Sequence, residues 1–166
     1  MTPKIALLAC GGTLDKDYDA LSGELTFSQS HLPTLLQQAN HQLDLRLEVV
    51  MLKDSLEMDD TDREALYQAC FNSPEHALVI THGTDTLTDS ANYLAARHQL
   101  MADKTLILTG AMRPFRLGES DASFNLGGAL MAAQIIRPGV YIAMNGRLFS
   151  AGNVTKNRAL GVFEAH

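Results

Sequence analysis

Five short apolar runs punctuate the chain: Ile5 to Cys10, Leu45 to Leu52, Ala77 to Ile80, Thr105 to Leu108 and Val140 to Met144. Each gives way to glycine or small polar residues, and runs this short and apolar suit strands buried on both faces. Longer amphipathic segments lie between them. Ser30 is placed to cap a helix through Asn40. Thr61 and Glu64 have the spacing of a capping box, in which each side chain serves the other residue's backbone N–H, opening a helix to about Phe71. The stretch from Asp85 to Asp89 leads into a third helix, to about Leu100. Ser120 or Asp121 starts a last one, to about Ile136, and Leu148 to Val154 reads as a short hairpin strand. Strand and helix in alternation predict an α/β fold: a three-layer, mainly parallel open sheet with helices on both faces. The 166 residues suit one domain, 1–166, with a single core, and no internal repeat or low-complexity tract divides them.

Composition narrows the function classes. Apolar residues make up 46% and charged residues 19%, which is the balance of a folded globule. The net charge of −6 offers no basic face, so neither nucleic acid nor an anionic membrane is an expected partner. Aromatics at 6%, with no Trp, give no base-stacking platform. No 18-residue apolar stretch reads as a spanning helix. Ile5 to Cys10 is too short for a signal sequence, so the expected compartment is the cytoplasm. Cys10 and Cys70 form no CxxC pair and are expected to be buried free thiols. The six histidines are scattered and no HExxH occurs. No metal site and no cofactor is expected.

In open parallel sheets, ligands bind beyond the carboxyl ends of the strands. Thr13 follows the first run, Asp54-Ser55 the second, Thr84 the third and Gly110-Ala111 the fourth, so four loops are expected to meet at one cleft. Gly11-Gly12-Thr13 permits a tight turn that presents a hydroxyl, although the same tripeptide also serves ordinary turns. It is neither a GxGxxG fingerprint nor a phosphate-binding P-loop. Tyr18 follows in a polar loop, as a substrate-covering tyrosine or as a surface residue. Thr81-His82-Gly83-Thr84-Asp85-Thr86 gathers three hydroxyls, an imidazole and a carboxylate. Asp85 suits a helix cap or an anchor for a substrate ammonium. His82 lacks a Gly-x-Ser-x-Gly elbow and reads as structural. Lys156 is either a surface lysine or, buried beside Thr84, a proton acceptor steadied by Asp85. Ser55 suits a turn or a donor to a carboxylate. Arg113 suits a loop tie or an anion attractor.

Taken together, these residues resemble the bacterial-type L-asparaginase family. The resemblance rests on Gly11-Gly12-Thr13, Thr81 to Thr86, Gly110-Ala111-Met112-Arg113-Pro114 and Val154-Thr155-Lys156, with Asp54-Ser55 and Met58 as a fifth, weaker match, and it runs from residue 4 to about 158. It implies the fold of that family's N-terminal domain, without the smaller C-terminal domain of typical members. It implies hydrolysis of L-asparagine to L-aspartate and ammonia through an acyl-enzyme. Thr13 would be the nucleophile and Tyr18 the loop tyrosine. Thr84 and Lys156 would form a second catalytic pair, with Asp85 beside them. Asp85 would also bind the substrate ammonium, Asp54-Ser55 the α-carboxylate end, and the Ala111 carbonyl would face the amide. N–H groups near Gly12 and Thr84 would stabilise the oxyanion. The resemblance also implies a homodimer or higher homo-oligomer. Cys10 and Leu56 depart from the family's usual residues. Two other readings share these residues: a non-catalytic amino-acid-binding or partner-binding domain derived from an asparaginase, and a related amidase acting on glutaminyl groups.

Overall fold

The computed structural model describes residues 3–166; the first two positions of the expected domain lie outside the described residues. In chain order the elements are β1 (Ile5–Gly11), β2 (Asp17–Asp19), β3 (Glu24–Thr26), α1 (Leu32–Gln38), β4 (Leu45–Lys53), α2 (Asp60–Asn72), β5 (Ala77–Thr81), α3 (Leu87–Ala95), β6 (Thr105–Thr109), α4 (Ala122–Ile135), β7 (Gly139–Met144), β8 (Arg147–Ser150), β9 (Val154–Asn157) and β10 (Val162–Ala165). Six strands form one sheet in the order β4-β1-β5-β6-β7-β8. All neighbours in it are parallel except β8, which runs antiparallel to β7. The fold is therefore the expected α/β type with a mainly parallel sheet.

The strand order fixes where a ligand can enter. From β1 the chain crosses to β4 on one side; from β5 it proceeds to β6 on the other. The direction of winding thus reverses between β1 and β5, and a crevice opens at their carboxyl ends. Thr13 and Thr84 follow those two strands.

The core explains why the runs are continuously apolar. In β1, residues Ile5, Leu7 and Ala9 pack on one face with α1 and α4, while Ala6, Leu8 and Cys10 pack on the other with α2 and α3. A strand covered on both faces has no position for a polar side chain. β4, at the edge, is only half-buried and alternates less cleanly.

Several expected boundaries shift. Ser30 does not cap α1; its N-cap is His31, and the Ser30 hydroxyl accepts weakly from Leu32 N–H at 3.3 Å. The Thr61/Glu64 capping box is also displaced. Asp59 caps α2, and Asp62 reciprocates, with bonds of 3.0 and 3.1 Å. A carboxylate serves as well as a hydroxyl at that position, so two overlapping frames compete and the earlier one wins. Asp85 caps nothing: the N-cap of α3 is Thr86, the α-helix ends at Ala95, and a separate 3-10 turn covers His98–Met101. The stretch Leu148 to Val154 is not one strand but parts of β8 and β9 around a turn. β9 pairs antiparallel with β10, and β2 pairs with β3 in a hairpin.

Candidate functional site

The loops at the crevice touch through glycines. Gly12 takes a positive φ of 73°, and a β-carbon there would collide with the backbone of Gly83. On Gly83 a β-carbon would lie 2.6 Å from the Ser55 side chain. Only a residue without a side chain permits either approach. Thr13 and Thr84 each stand one position beyond these touching glycines, which brings the two backbones together beyond the carboxyl ends of β1 and β5. Backbone bonds fix the arrangement: Gly12 N–H donates to the Lys53 carbonyl at 2.9 Å, and His82 N–H to Thr109 at 2.9 Å.

The strongest polar cluster lies on the β5 side. Lys156 Nζ donates to Thr84 Oγ1 and to Asp85 Oδ1, each at 2.8 Å. Its side chain is only 11% exposed, and Thr84 only 7%. The β9 strand carries the lysine there across 72 positions of sequence. The adjacent ammonium holds the Asp85 carboxyl below its ordinary range, with Arg158 adding to the effect. Arg158 Nη1 reaches the same Oδ1 at 2.5 Å, and Nη2 lies 3.4 Å from the Asp85 carbonyl.

Ser55 is 2% exposed. Its hydroxyl accepts from Thr86 N–H at 3.2 Å, and its carbonyl accepts from the Thr86 hydroxyl at 2.8 Å. A hydroxyl that accepts still has its own proton to donate. Asp54 does not point free: its side chain accepts from Leu56 N–H at 3.0 Å and pairs with Lys16 at 2.6 Å, which holds its carboxyl low. Ala111 is buried at the end of β6. The loop after it is tied by Asp121, which accepts from Met112 and Arg113 N–H, and by Asn125, which donates to the Gly110 carbonyl at 2.9 Å. Arg113 itself donates to the Gly118 carbonyl at 2.7 Å, a tie within its own loop.

His82 lies beneath the crevice rather than in it. Its ring is fully buried, with Nδ1 2.7 Å from the Gly83 carbonyl and Nε2 2.7 Å from the Ser90 hydroxyl. Burial pushes its pKa down to about 4, because a charged ring would be poorly solvated there. Cys10 and Cys70 are buried and unpaired, and burial raises both thiols, Cys70 to about 12. Tyr18 stands apart from this cluster. It is on β2, paired with Leu25 of β3, and is 56% exposed.

Three participants escape a reading of motifs. Lys16 bridges the Thr13 loop to Asp54. Asp15 is fully buried and accepts from Ser30 and from His31 N–H at 3.0 and 2.8 Å, and burial raises its carboxyl pKa. Arg158 shares Asp85 with Lys156. It lies just past the end of β9, so no strand spacing marks it in the sequence. Among the described residues no group of three His, Cys, Asp or Glu side chains is arranged to hold a metal ion, and no helix is long and apolar enough to cross a membrane.

A parallel α/β sheet, with hydroxyl, lysine and carboxylate groups meeting at the reversal of its winding, is the architecture of an asparaginase-type N-terminal domain. The chain belongs to the family described as Asparaginase, N-terminal, whose model matches residues 4–164. It is 28% identical to the "Probable L-asparaginase periplasmic" of Haemophilus influenzae, over 99% of this chain and 49% of that protein. It is 32% identical to a component of the glutamyl-tRNA(Gln) amidotransferase of Methanococcus vannielii, over 87% of this chain and 34% of that protein. Among solved structures, the thermostable L-asparaginase from Thermococcus kodakarensis superposes with a TM-score of 0.83 at 26% identity, covering 98% of this chain and 51% of that one. The chain spans about half the length, or less, of these relatives.

Proposed function

We propose that this chain is an amidohydrolase that cleaves L-asparagine to L-aspartate and ammonia through an acyl-enzyme on Thr13. The observation that carries the reading is the contact of Lys156 with both Thr84 and Asp85. A threonine hydroxyl attacks poorly unless a neighbour relays its proton, and a lysine brought across the fold into a nearly buried contact is suited to that work. In this reading Thr13 Oγ bonds to the side-chain amide carbon, and N–H groups near Gly12 and Thr84 stabilise the oxyanion. The carbon–nitrogen bond breaks, and the displaced proton leaves with ammonia. Water then cleaves the ester and restores the threonine. Ser55 donates to the α-carboxylate, with Asp54 holding its turn. Asp85 faces the α-ammonium end, the Ala111 carbonyl faces the amide, and Tyr18 covers the nucleophile.

Ammonia release from L-asparagine tests this directly. Thr13→Ala is expected to lose roughly 10⁴-fold in kcat, as removal of a nucleophile does elsewhere; equal rates in the two proteins would sink the assignment. The similarity to an amidotransferase component supports a second reading, an amidase for glutaminyl groups, and a panel of asparagine, glutamine and simple amides separates the two. The burial of Lys156 against Thr84 and Asp85 would equally suit a non-catalytic amino-acid-binding domain, for which calorimetry would show ligand binding without turnover. The exposed apolar side chains of α4, Phe124, Met131 and Ile135, support a homo-oligomer; a monomer in sedimentation would remove that part. The buried free thiols support a cytoplasmic setting.

A further inference from the structure

Asp85 has more cationic company than an ammonium anchor needs. Lys156 and Arg158 both bond to its Oδ1, at 2.8 and 2.5 Å. One carboxylate oxygen therefore answers two cations. A substrate α-ammonium arriving here would be a third cation on the same group. It would have to displace Arg158 or endure its repulsion, and like charges set together cost binding heavily. A ligand with no cation at that carbon meets no such conflict. Arg158 is suited to such a selective role rather than to holding up the fold. It is 63% exposed and lies just past the end of β9.

We propose that Arg158 is a specificity-determining residue that turns this site towards ω-amides of dicarboxylic acids lacking a free α-ammonium. The simplest such compound is succinamate, which is asparagine with hydrogen in place of the amine. The inference rests on the proposed function in one respect: Asp85 faces the α-carbon end of the ligand. The step catalysed is unchanged. Water replaces the amide nitrogen, giving succinate and ammonia in place of aspartate and ammonia.

The test uses the intact chain with two measurements. Calorimetry compares succinate with L-aspartate, and ammonia release compares succinamate with L-asparagine. The wild type is expected to favour the des-amino member of each pair by about tenfold or more, Arg158→Ala to lose most of that preference, and Arg158→Lys, which keeps the charge, to retain part of it. A purely structural role for Arg158 would change affinity for both members alike and leave the ratio unmoved. The proposal is overturned if the wild type favours the α-amino ligand, if neither ligand binds, or if the ratio in Arg158→Ala stays within about twofold of wild type. Preference for succinate without turnover of either amide would remove the catalytic reading and leave the selectivity standing. Turnover that favours asparagine would do the reverse.

Discussion

Thr13 and Thr84 end neighbouring parallel strands, yet their surroundings differ. Thr84 is nearly buried, bonded to Lys156 and flanked by Thr86, which is tied to Ser55, while two positions before it the His82 ring is anchored on Ser90. Thr13 is half-buried and opens a 3-10 turn, followed by the β2/β3 hairpin with Tyr18 largely in solvent. One wall of the crevice is held by many long-range bonds. The other is tied by the Gly12–Lys53 bond, the Lys16–Asp54 pair and the bonds of buried Asp15 to Ser30 and His31, and none of these is made by the Thr13 hydroxyl itself. A site built this way keeps its proton-handling groups in fixed register and leaves the attacking side open to the ligand, a division in which preorganisation falls on one partner.

The comparison can be broken at several points. The largest effect after loss of Thr13 itself is expected for Lys156→Met. Its kcat/KM should fall by roughly 10³-fold, within the range for loss of a proton-transfer group. A fall of less than about tenfold would deny the fixed wall its chemical role.

His82 sharpens the contrast through stability. Its folded pKa lies near 4, below the ordinary 6.5, so the folded state prefers the neutral ring. The stabilisation is present above pH 6.5 and is lost as pH falls towards 4, by about 3 kcal/mol across that window. Asp85, whose carboxyl is held below its ordinary value by Lys156, stays charged throughout it, while Asp15, raised by burial, works in the opposite sense, so the histidine's share is the difference between wild type and His82→Gln. Urea unfolding at pH 7 and pH 5 should show a clear loss for the wild type and a flatter response for His82→Gln. Equal slopes would mean that the ring is not sealed from water in its Ser90 pocket.

The smallest expected effect is at Tyr18. On the open wall, Tyr18→Phe should lower kcat/KM by about tenfold or less, since one hydrogen bond from an exposed side chain is at stake. A loss as large as that for Lys156→Met would dissolve the distinction between the walls.

Much of this is legible in the sequence because strand burial leaves a plain mark. β1, β5 and β6 read as apolar runs since both faces are covered, and each motif begins where its run stops. The register of helix starts is less legible. Asp59 and Thr61 both suit an N-cap, and only the bonds to Asp62 choose between them. The β2/β3 hairpin leaves no mark because it has little apolar alternation and mostly exposed residues. At the site, residue types in motifs point to Thr84, Asp85 and Lys156, but their meeting depends on a β9 strand that no local pattern places. Arg158 and Lys16 are hidden for the same reason: their partners are 73 and 38 positions away.

The long path to Lys156 has a further consequence for how the protein is made. Synthesis runs from the N-terminus, and domains begin to fold as they emerge. All the parallel strands, and with them the platform carrying Thr13 and Thr84, precede the lysine in the chain, since β7 ends at Met144 and Lys156 lies in β9. On the proposed mechanism, a folding chain whose parallel sheet forms before β9 docks would hold a shaped but inert crevice, and the docking of β9 would arm it.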